Sequence, residues 1–299
     1  MVSNGEACNH QKAEVSVEFG TPPSQCSFHM PLKTFSSYST SSANLQTVMA
    51  TTITENYKII SGGGQLIDGD IVMVETYPLD RYTWVTKMRE HVQPTVGNTA
   101  SFAIAIYDPD DEWDVQYFSE ESDSSDEPWA TVSIPDGYLL TGGGARISSA
   151  DSGAGVVLFS SYPSSNNTWK AVAHQHISPG TGKVTAYAIG VRHKSLCTLP
   201  NCHWESEMSS ANQHVSVSVA TTAEVIVGGG AMGTLPTDAS RLAGNMLFIS
   251  SPFLEITSGA AVLYDGESWE VKAQDHKIVQ YGTVTSYTMQ CSTDEAQYL

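Results

Sequence analysis

ATVSIPDGYLLTGGG (130–144), VVLFSSYP (156–163), WKAVAHQH (169–176) and TAYAIGV (185–191) follow one another in the middle of the chain. The same ordered series occurs before and after them. The first copy reads ATTITENYKIISGGG (50–64), IVMVETYP (71–78), WVTKMREH (84–91) and SFAIAIY (101–107). The third reads ATTAEVIVGGG (220–230), MLFISSPF (246–253), WEVKAQDH (269–276) and TSYTMQC (285–291). In each copy a His stands seven residues after a Trp: Trp84 and His91, Trp169 and His176, Trp269 and His276. Eleven residues after each His comes an aromatic, Phe102, Tyr187 or Tyr287. A repeat of this kind fixes an architecture before it says anything about chemistry.

Within each copy the segments are six to eight residues of β-branched, aromatic and small residues, broken by Gly, Pro and Asn turns. That is the pattern of antiparallel strands joined by short loops. No stretch keeps a helical period between a capped start and a stop signal. The expected class is all-β, with three tandem four-stranded antiparallel units in a pseudo-threefold, β-prism-like arrangement. Copies spaced by 80 and 86 residues, measured at the first glycine of each triplet, are too long and too few for propeller blades. The expected divisions are an N-terminal extension at 1–40, repeat 1 at 41–107, an acidic linker at 108–127, repeat 2 at 128–192, a Cys-containing linker at 193–208 and repeat 3 at 209–299. The three repeats share one continuous domain, because a single copy holds few large apolar residues for a core of its own.

The 299 residues carry a net charge of −18 and only 15% charged side chains. Such a balance argues against nucleic acid and anionic membranes as partners, since both reward clustered cations. No apolar run is long enough for a helical membrane span. The N-terminal MVSNGEACNHQKAEVS lacks an apolar signal core. The expected location is therefore cytoplasmic, or secreted with the leader absent from this chain.

Ten acids and no Lys or Arg fall within 108–127. The simple reading is a solvated linker. The alternation Asp108, Asp110, Glu112 also suggests a calcium loop, although the glycine and terminal Glu of an EF-hand are missing. The five cysteines are Cys8, Cys26, Cys197, Cys202 and Cys291. Cys197 with Cys202, and Cys8 with Cys26, are candidate disulfides. Cys197, Cys202 and His203 form an incomplete zinc set. No cofactor is expected, with zinc or calcium as the alternative.

The candidate site residues come from the repeat. On a continuous strand Trp and the His seven residues later face opposite sides. Either the Trp is core, or Trp84, Trp169 and Trp269 are flat stacking platforms for a sugar. His91, His176 and His276 suit three equivalent pockets, or convergence on the axis as a three-nitrogen metal site. His174 lies two residues before His176, in the middle repeat alone. Tyr77 and Tyr162 precede Pro seven residues before their Trp, whereas the third copy has Pro252-Phe253 and an insertion. The glycine triplets lack the Lys-Ser/Thr of a phosphate loop and mark close backbone approach instead. No nucleophile elbow or His-Glu-x-x-His occurs, which lowers the expectation of an enzyme.

GGGA (142–145), SSYP (160–163), the Trp-to-His strand and TAYAIGV together resemble tandem repeats of bacterial and eukaryotic proteins of unknown activity. The expected shape resembles threefold β-prism lectins. The tandem polar and aromatic signature on a sheet scaffold of low charge leads to the expectation of a lectin-like protein that binds carbohydrate or another small ligand in up to three related pockets. The alternatives are a hydrolase, lyase or isomerase using His as acid and base or a three-His metal, and a repeat protein with a purely structural role.

Overall fold

The computed structural model describes residues 29–41, 45–52, 54–68, 71–90, 97–148, 155–175, 180–195, 201–221, 224–234, 246–252, 268–274, 281–293 and 296–298. Every regular element among them is a β-strand. The first repeat contributes β1 (Met30–Ser41), β2 (Leu45–Thr51), β3 (Tyr57–Asp68), β4 (Ile71–Pro78), β5 (Thr83–Glu90) and β6 (Gly97–Tyr107). The second contributes β7 (Trp113–Glu121), β8 (Trp129–Ser133), β9 (Leu139–Ile147), β10 (Val156–Ser165), β11 (Thr168–Gln175) and β12 (Val184–His193). The third contributes β13 (Cys202–Met208), β14 (His214–Ala220), β15 (Glu224–Gly233), β16 (Met246–Pro252), β17 (Ser268–Gln274) and β18 (Val284–Ser292), and β19 (Ala296–Tyr298) closes the chain.

The all-β, threefold expectation agrees with the structure; the four-stranded unit does not. Each repeat has six strands, and they are divided between two sheets. The sheet orders are β2-β5-β4-β9-β12-β7, β13-β18-β15-β10-β11-β8 and β14-β17-β16-β3-β6-β1-β19. Each sheet thus joins three strands of one repeat to three strands of the next, rather than belonging to one repeat as expected. The short return strand β19 pairs in parallel with β1 through Met30 and Ala296, bringing the last residues of the fold beside the first.

The additional strands explain the miscount. The stretch read as an acidic linker contains β7, antiparallel to β12 from Trp113–His193 to Glu121–Thr185. The Cys-containing linker contains β13, paired with β18, and the N-terminal extension contains β1, paired with β6. Both β7 and β13 lie at sheet edges, where β7 fully buries only Trp113 and β13 fully buries no residue. An edge strand buries few residues and needs no apolar run, so hydrophobic patterning misses it.

The glycine triplets sit where the three repeats meet. Trp84, Trp169 and Trp269 are fully buried. A Cβ on Gly62, Gly143 or Gly229 would run into the indole of the Trp from its own repeat. Each indole N–H donates to a hydroxyl one strand over: Trp84 to Thr76 at 2.9 Å, Trp169 to Ser161 at 2.9 Å and Trp269 to Ser250 at 3.4 Å. The pairing partners of the Trp-facing glycines are Ala103, Ala188 and Thr288, so the three positions are equivalent. The triplet of the first repeat is therefore displaced by one residue. Ser61 stands where the other two repeats have Gly142 and Gly228.

Those three residues mark the common axis. A Cβ on Gly142 would lie 2.7 Å from Ser61 Oγ, and one on Gly228 would strike the same atom and the Thr141 carbonyl. Thr141 donates its hydroxyl to the carbonyl of Ile60 at 2.8 Å, a direct bond between repeats. Backbone and one serine thus fill the axis at this level. Around it lies one continuous core that draws aliphatic and Trp side chains from all three repeats.

Candidate functional site

The structure separates the residues expected to form a site. His91, His176 and His276 lie outside the described residues. The three Trp residues are not stacking platforms. Each indole is closed in against glycine backbone, and no face remains for a ligand. Tyr77 and Tyr162 cross the junctions between repeats. Tyr77 stacks on Tyr187 of the next repeat with centroids 5.1 Å apart, and Tyr162 stacks on Tyr287 at 5.3 Å. Burial lifts the phenol pKa values of Tyr162, Tyr187 and Tyr287 above the ordinary value. At the third junction Ser251 takes the Tyr position, because Pro252 pairs with Trp269 as Pro78 and Pro163 pair with their Trp residues.

His174 is buried within the fold rather than lining a pocket. Its Nδ1 lies 2.5 Å from the Gln175 carbonyl and its Nε2 lies 2.9 Å from Glu127 Oε1, while its ring meets Phe159 edge-on. In the acidic stretch, Asp108 is engaged by its own turn. Asp108 accepts from Lys58 at 2.6 Å and from the backbone N–H groups of Glu112 and Trp113, so its carboxylate already caps a turn. Among the described residues no group of three His, Cys, Asp or Glu has metal-holding geometry. Cys202 is bonded to Cys291 across β13 and β18, which removes it from the proposed pair with Cys197 and from the zinc set. Cys8, Cys26 and Cys197 lie outside the described residues.

Two clefts lie at junctions between repeats and share two equivalent positions, a hairpin-tip residue of one repeat and an aromatic on the edge strand of the next, while the rest of their linings differ. The cleft between repeats 2 and 3 measures about 180 Å3 and is lined by Pro163, Ser164, Ser165, Asn166, Trp204, Glu205, Ser206 and Tyr287. Trp204 is its aromatic wall, backed by the buried Trp169 at a centroid distance of 6.0 Å. The cleft between repeats 1 and 2 is also about 180 Å3, lined by Lys58, Arg81, Asp111, Trp113, Asp114, Val115, Gln116, Tyr117 and Lys194.

The equivalence is set by register. Trp204 pairs with Met289 on β18 and Tyr117 pairs with Ile189 on β12, each two residues beyond the junction tyrosine, Tyr287 or Tyr187. Arg81 and Asn166 each stand three residues before the Trp of their hairpin. The hairpin tips share a turn device as well. Tyr82 N–H donates to Asp80 Oδ1 at 2.8 Å, and Asn167 N–H donates to Ser165 Oγ at 3.4 Å. At the junction of repeats 3 and 1 the corresponding tip lies outside the described residues.

The two clefts differ in charge. In the first, Lys58 reaches Asp108 and Asp111 at 2.6 and 2.7 Å and the Trp113 carbonyl at 2.9 Å, which occupies all three of its N–H groups. Lys194 reaches the other oxygen of Asp111 at 2.5 Å. Hydrogen bonds from Lys194 and Lys58 hold the Asp111 carboxyl well below its ordinary pKa, at about 2. Asp111 adopts φ of 54°, a left-handed conformation that Asp accepts more readily than most residues. Arg192 grips Asp114 with Nε at 3.0 Å and Nη2 at 2.8 Å, and Tyr138 and Gln116 donate to the same carboxylate. Burial opposes ionisation of Asp114, but these bonds prevail and lower its pKa.

None of Arg81, Asn166, Tyr117 or Trp204 stands out in the linear repeat. Arg81 and Asn166 differ from each other, and the two aromatics lie on edge strands of low apolar content. The available signal was position, three residues before an invariantly placed Trp. No known family model matches this chain, and no curated protein matches it in sequence.

Proposed function

We propose that this protein is a lectin-like binding protein that seats small carbohydrate ligands in the clefts between successive repeats. The observation that carries this reading is a cleft at each of two junctions, both built on the residue three before the repeat Trp and on an aromatic at the same register of the edge strand. The cleft with Trp204 has the composition that a neutral sugar requires. An indole offers a flat apolar surface to the C–H face of a pyranose. Asn166, Ser164, Ser165, Glu205 and Ser206 surround it with donors and acceptors for hydroxyl groups. Because the sites are repeated on one rigid scaffold, weak single-site binding gains through avidity on a multivalent glycan.

A glycan array followed by titration of the tryptophan emission tests the reading. We expect saturable binding of a neutral glycan. Trp204→Ala should weaken it on the order of tenfold or more, as loss of a central aromatic anchor does. Asn166→Ala, at an exposed turn, gives a second variant that leaves the core untouched. Silence across a broad array, or unchanged affinity in both variants, would remove the proposal.

A further inference from the structure

The hairpin-tip residue differs between the two clefts. In the cleft between repeats 2 and 3 it is Asn166, a neutral amide; in the cleft between repeats 1 and 2 it is Arg81, a cation. Lys58 and Lys194 also line the latter, but they are paired with Asp108 and Asp111, and Asp114 is held by Arg192. Arg81 is exposed and makes no ion pair with a carboxylate among the described residues. Its guanidinium lies over the Tyr82 ring at 5.8 Å, beside Asp80, whose carboxylate accepts from the Tyr82 N–H, so the Arg81 fork stays open at the mouth of the cleft. Its planar fork matches a carboxylate through two parallel hydrogen bonds. The wall behind it is Tyr117, whose hydroxyl is turned inward to donate to the Ile59 carbonyl at 2.6 Å. That bond fixes the ring as an apolar surface at the position Trp204 occupies in the other cleft.

We infer that the Arg81–Tyr117 cleft binds a carboxylated sugar, with the ring on Tyr117 and the carboxylate on Arg81, while the Trp204 cleft takes the neutral counterpart. The inference rests on the reading of the clefts as carbohydrate sites. It assigns them different charge preferences, so the chain would recognise a glycan that carries both acidic and neutral residues.

The test uses the full chain with D-glucuronate, D-glucose and inorganic sulfate as separate probes, observed by ligand-detected NMR titration. Arg81→Asn copies the other cleft at an exposed turn, and Arg81→Lys keeps the charge without the fork. Glucuronate should bind the parent protein more weakly as salt is raised, lose roughly tenfold in Arg81→Asn, and recover only in part with Arg81→Lys. Glucose binding should be unchanged by Arg81→Asn and reduced by Trp204→Ala. Glucuronate affinity equal in the parent and Arg81→Asn overturns the inference and leaves the neutral site standing. Sulfate binding as tightly as glucuronate, with the same dependence on Arg81, overturns it in favour of a simple anion site. No binding of either sugar overturns both this inference and the carbohydrate reading beneath it.

Discussion

A single glycine in each repeat sets how closely the tryptophan strand can approach the axis. Gly62, Gly143 and Gly229 leave out a methyl group that would otherwise occupy the space of the indole five-membered ring. The Trp is large enough to fill the volume between two sheets, and the missing Cβ lets it lie flat against backbone. Gly143→Ala therefore forces either the indole or the β9 backbone to move, since the Tyr187 carbonyl also blocks the new atom. We expect a loss of about 1–3 kcal/mol, the ordinary cost of overpacking a well-filled core. Urea denaturation of the variant would show a lower midpoint at unchanged slope. A midpoint equal to the parent's would mean that the site tolerates a methyl group and that the close packing is not limiting. Gly137→Ala provides the contrast, because φ is +84° there and no atom lies within 4 Å of the added carbon, so only backbone strain is introduced.

At the scale of the strand, three equivalent positions hold the outermost of a repeat's three sheet strands to its neighbour by different means. Leu32 opposite Ile106 joins β1 to β6, and Val115 opposite Val191 joins β7 to β12. Cys202 opposite Cys291 joins β13 to β18, with a disulfide where the other repeats use an aliphatic pair. The substitution follows from composition: five of the seven residues of β13 are exposed and none is fully buried, so the strand has little apolar packing to hold it in place. The crosslink closes a segment of 89 residues, so its removal releases considerable chain entropy in the unfolded state. Reduction should destabilise the protein by about 2–4 kcal/mol. The double variant Cys202→Val with Cys291→Val should restore the packing of the other repeats but not the covalent constraint, and should melt below the oxidised parent. Equal urea midpoints for oxidised and reduced protein would show that the bond adds nothing to stability. Because β13 carries Trp204, the same comparison reports on the integrity of the proposed neutral-sugar cleft.

The whole molecule shows why its repeats were legible and their partnership was not. Strand identity could be read locally, from alternation at β2, β8 and β14 and from the apolar runs of β4 and β10. The offset of seven from Trp to His marked three equal copies. The ladders that join the sheet halves of different repeats are very short: Thr76–Ala145 between β4 and β9, Ser160–Met232 with Ser161–Ala231 between β10 and β15, and Ile249–Gln65 with Ser250–Gly64 between β16 and β3. Nothing in a hydrophobic pattern encodes such a contact, because its determinants are absent side chains and backbone carbonyls. The displaced triplet of the first repeat was invisible for the same reason: three glycines in a row look alike until one learns which of them faces the indole. The proposed clefts were still less legible, since each is made by a hairpin tip of one repeat and an edge strand of the next.

This sharing has a consequence for folding. No sheet is complete within one repeat, and each Trp packs on a glycine strand that lies in the sheet of a different neighbour. A fragment comprising residues 108–195 keeps β7 with β12 and β9, and β8 with β11 and β10, but loses β4 and β15 from the inner edges of its two half-sheets. It would expose Gly144, Ala145, Ser160 and Ser161, which the intact molecule covers with the neighbouring repeats. Two open edges around a core of this size leave little to offset chain entropy. We therefore expect the fragment to be unfolded or aggregated, without the ellipticity and sharp melt of the parent. The full chain should unfold in one step, with tryptophan emission and far-ultraviolet circular dichroism giving coincident urea curves. A soluble, cooperatively melting fragment, or two separated transitions in the parent, would mean that the repeats are independent modules whose junctions contribute little. In that event the clefts at those junctions would be surfaces between loosely associated units, and a mutation in one repeat should leave ligand binding at the far junction unchanged.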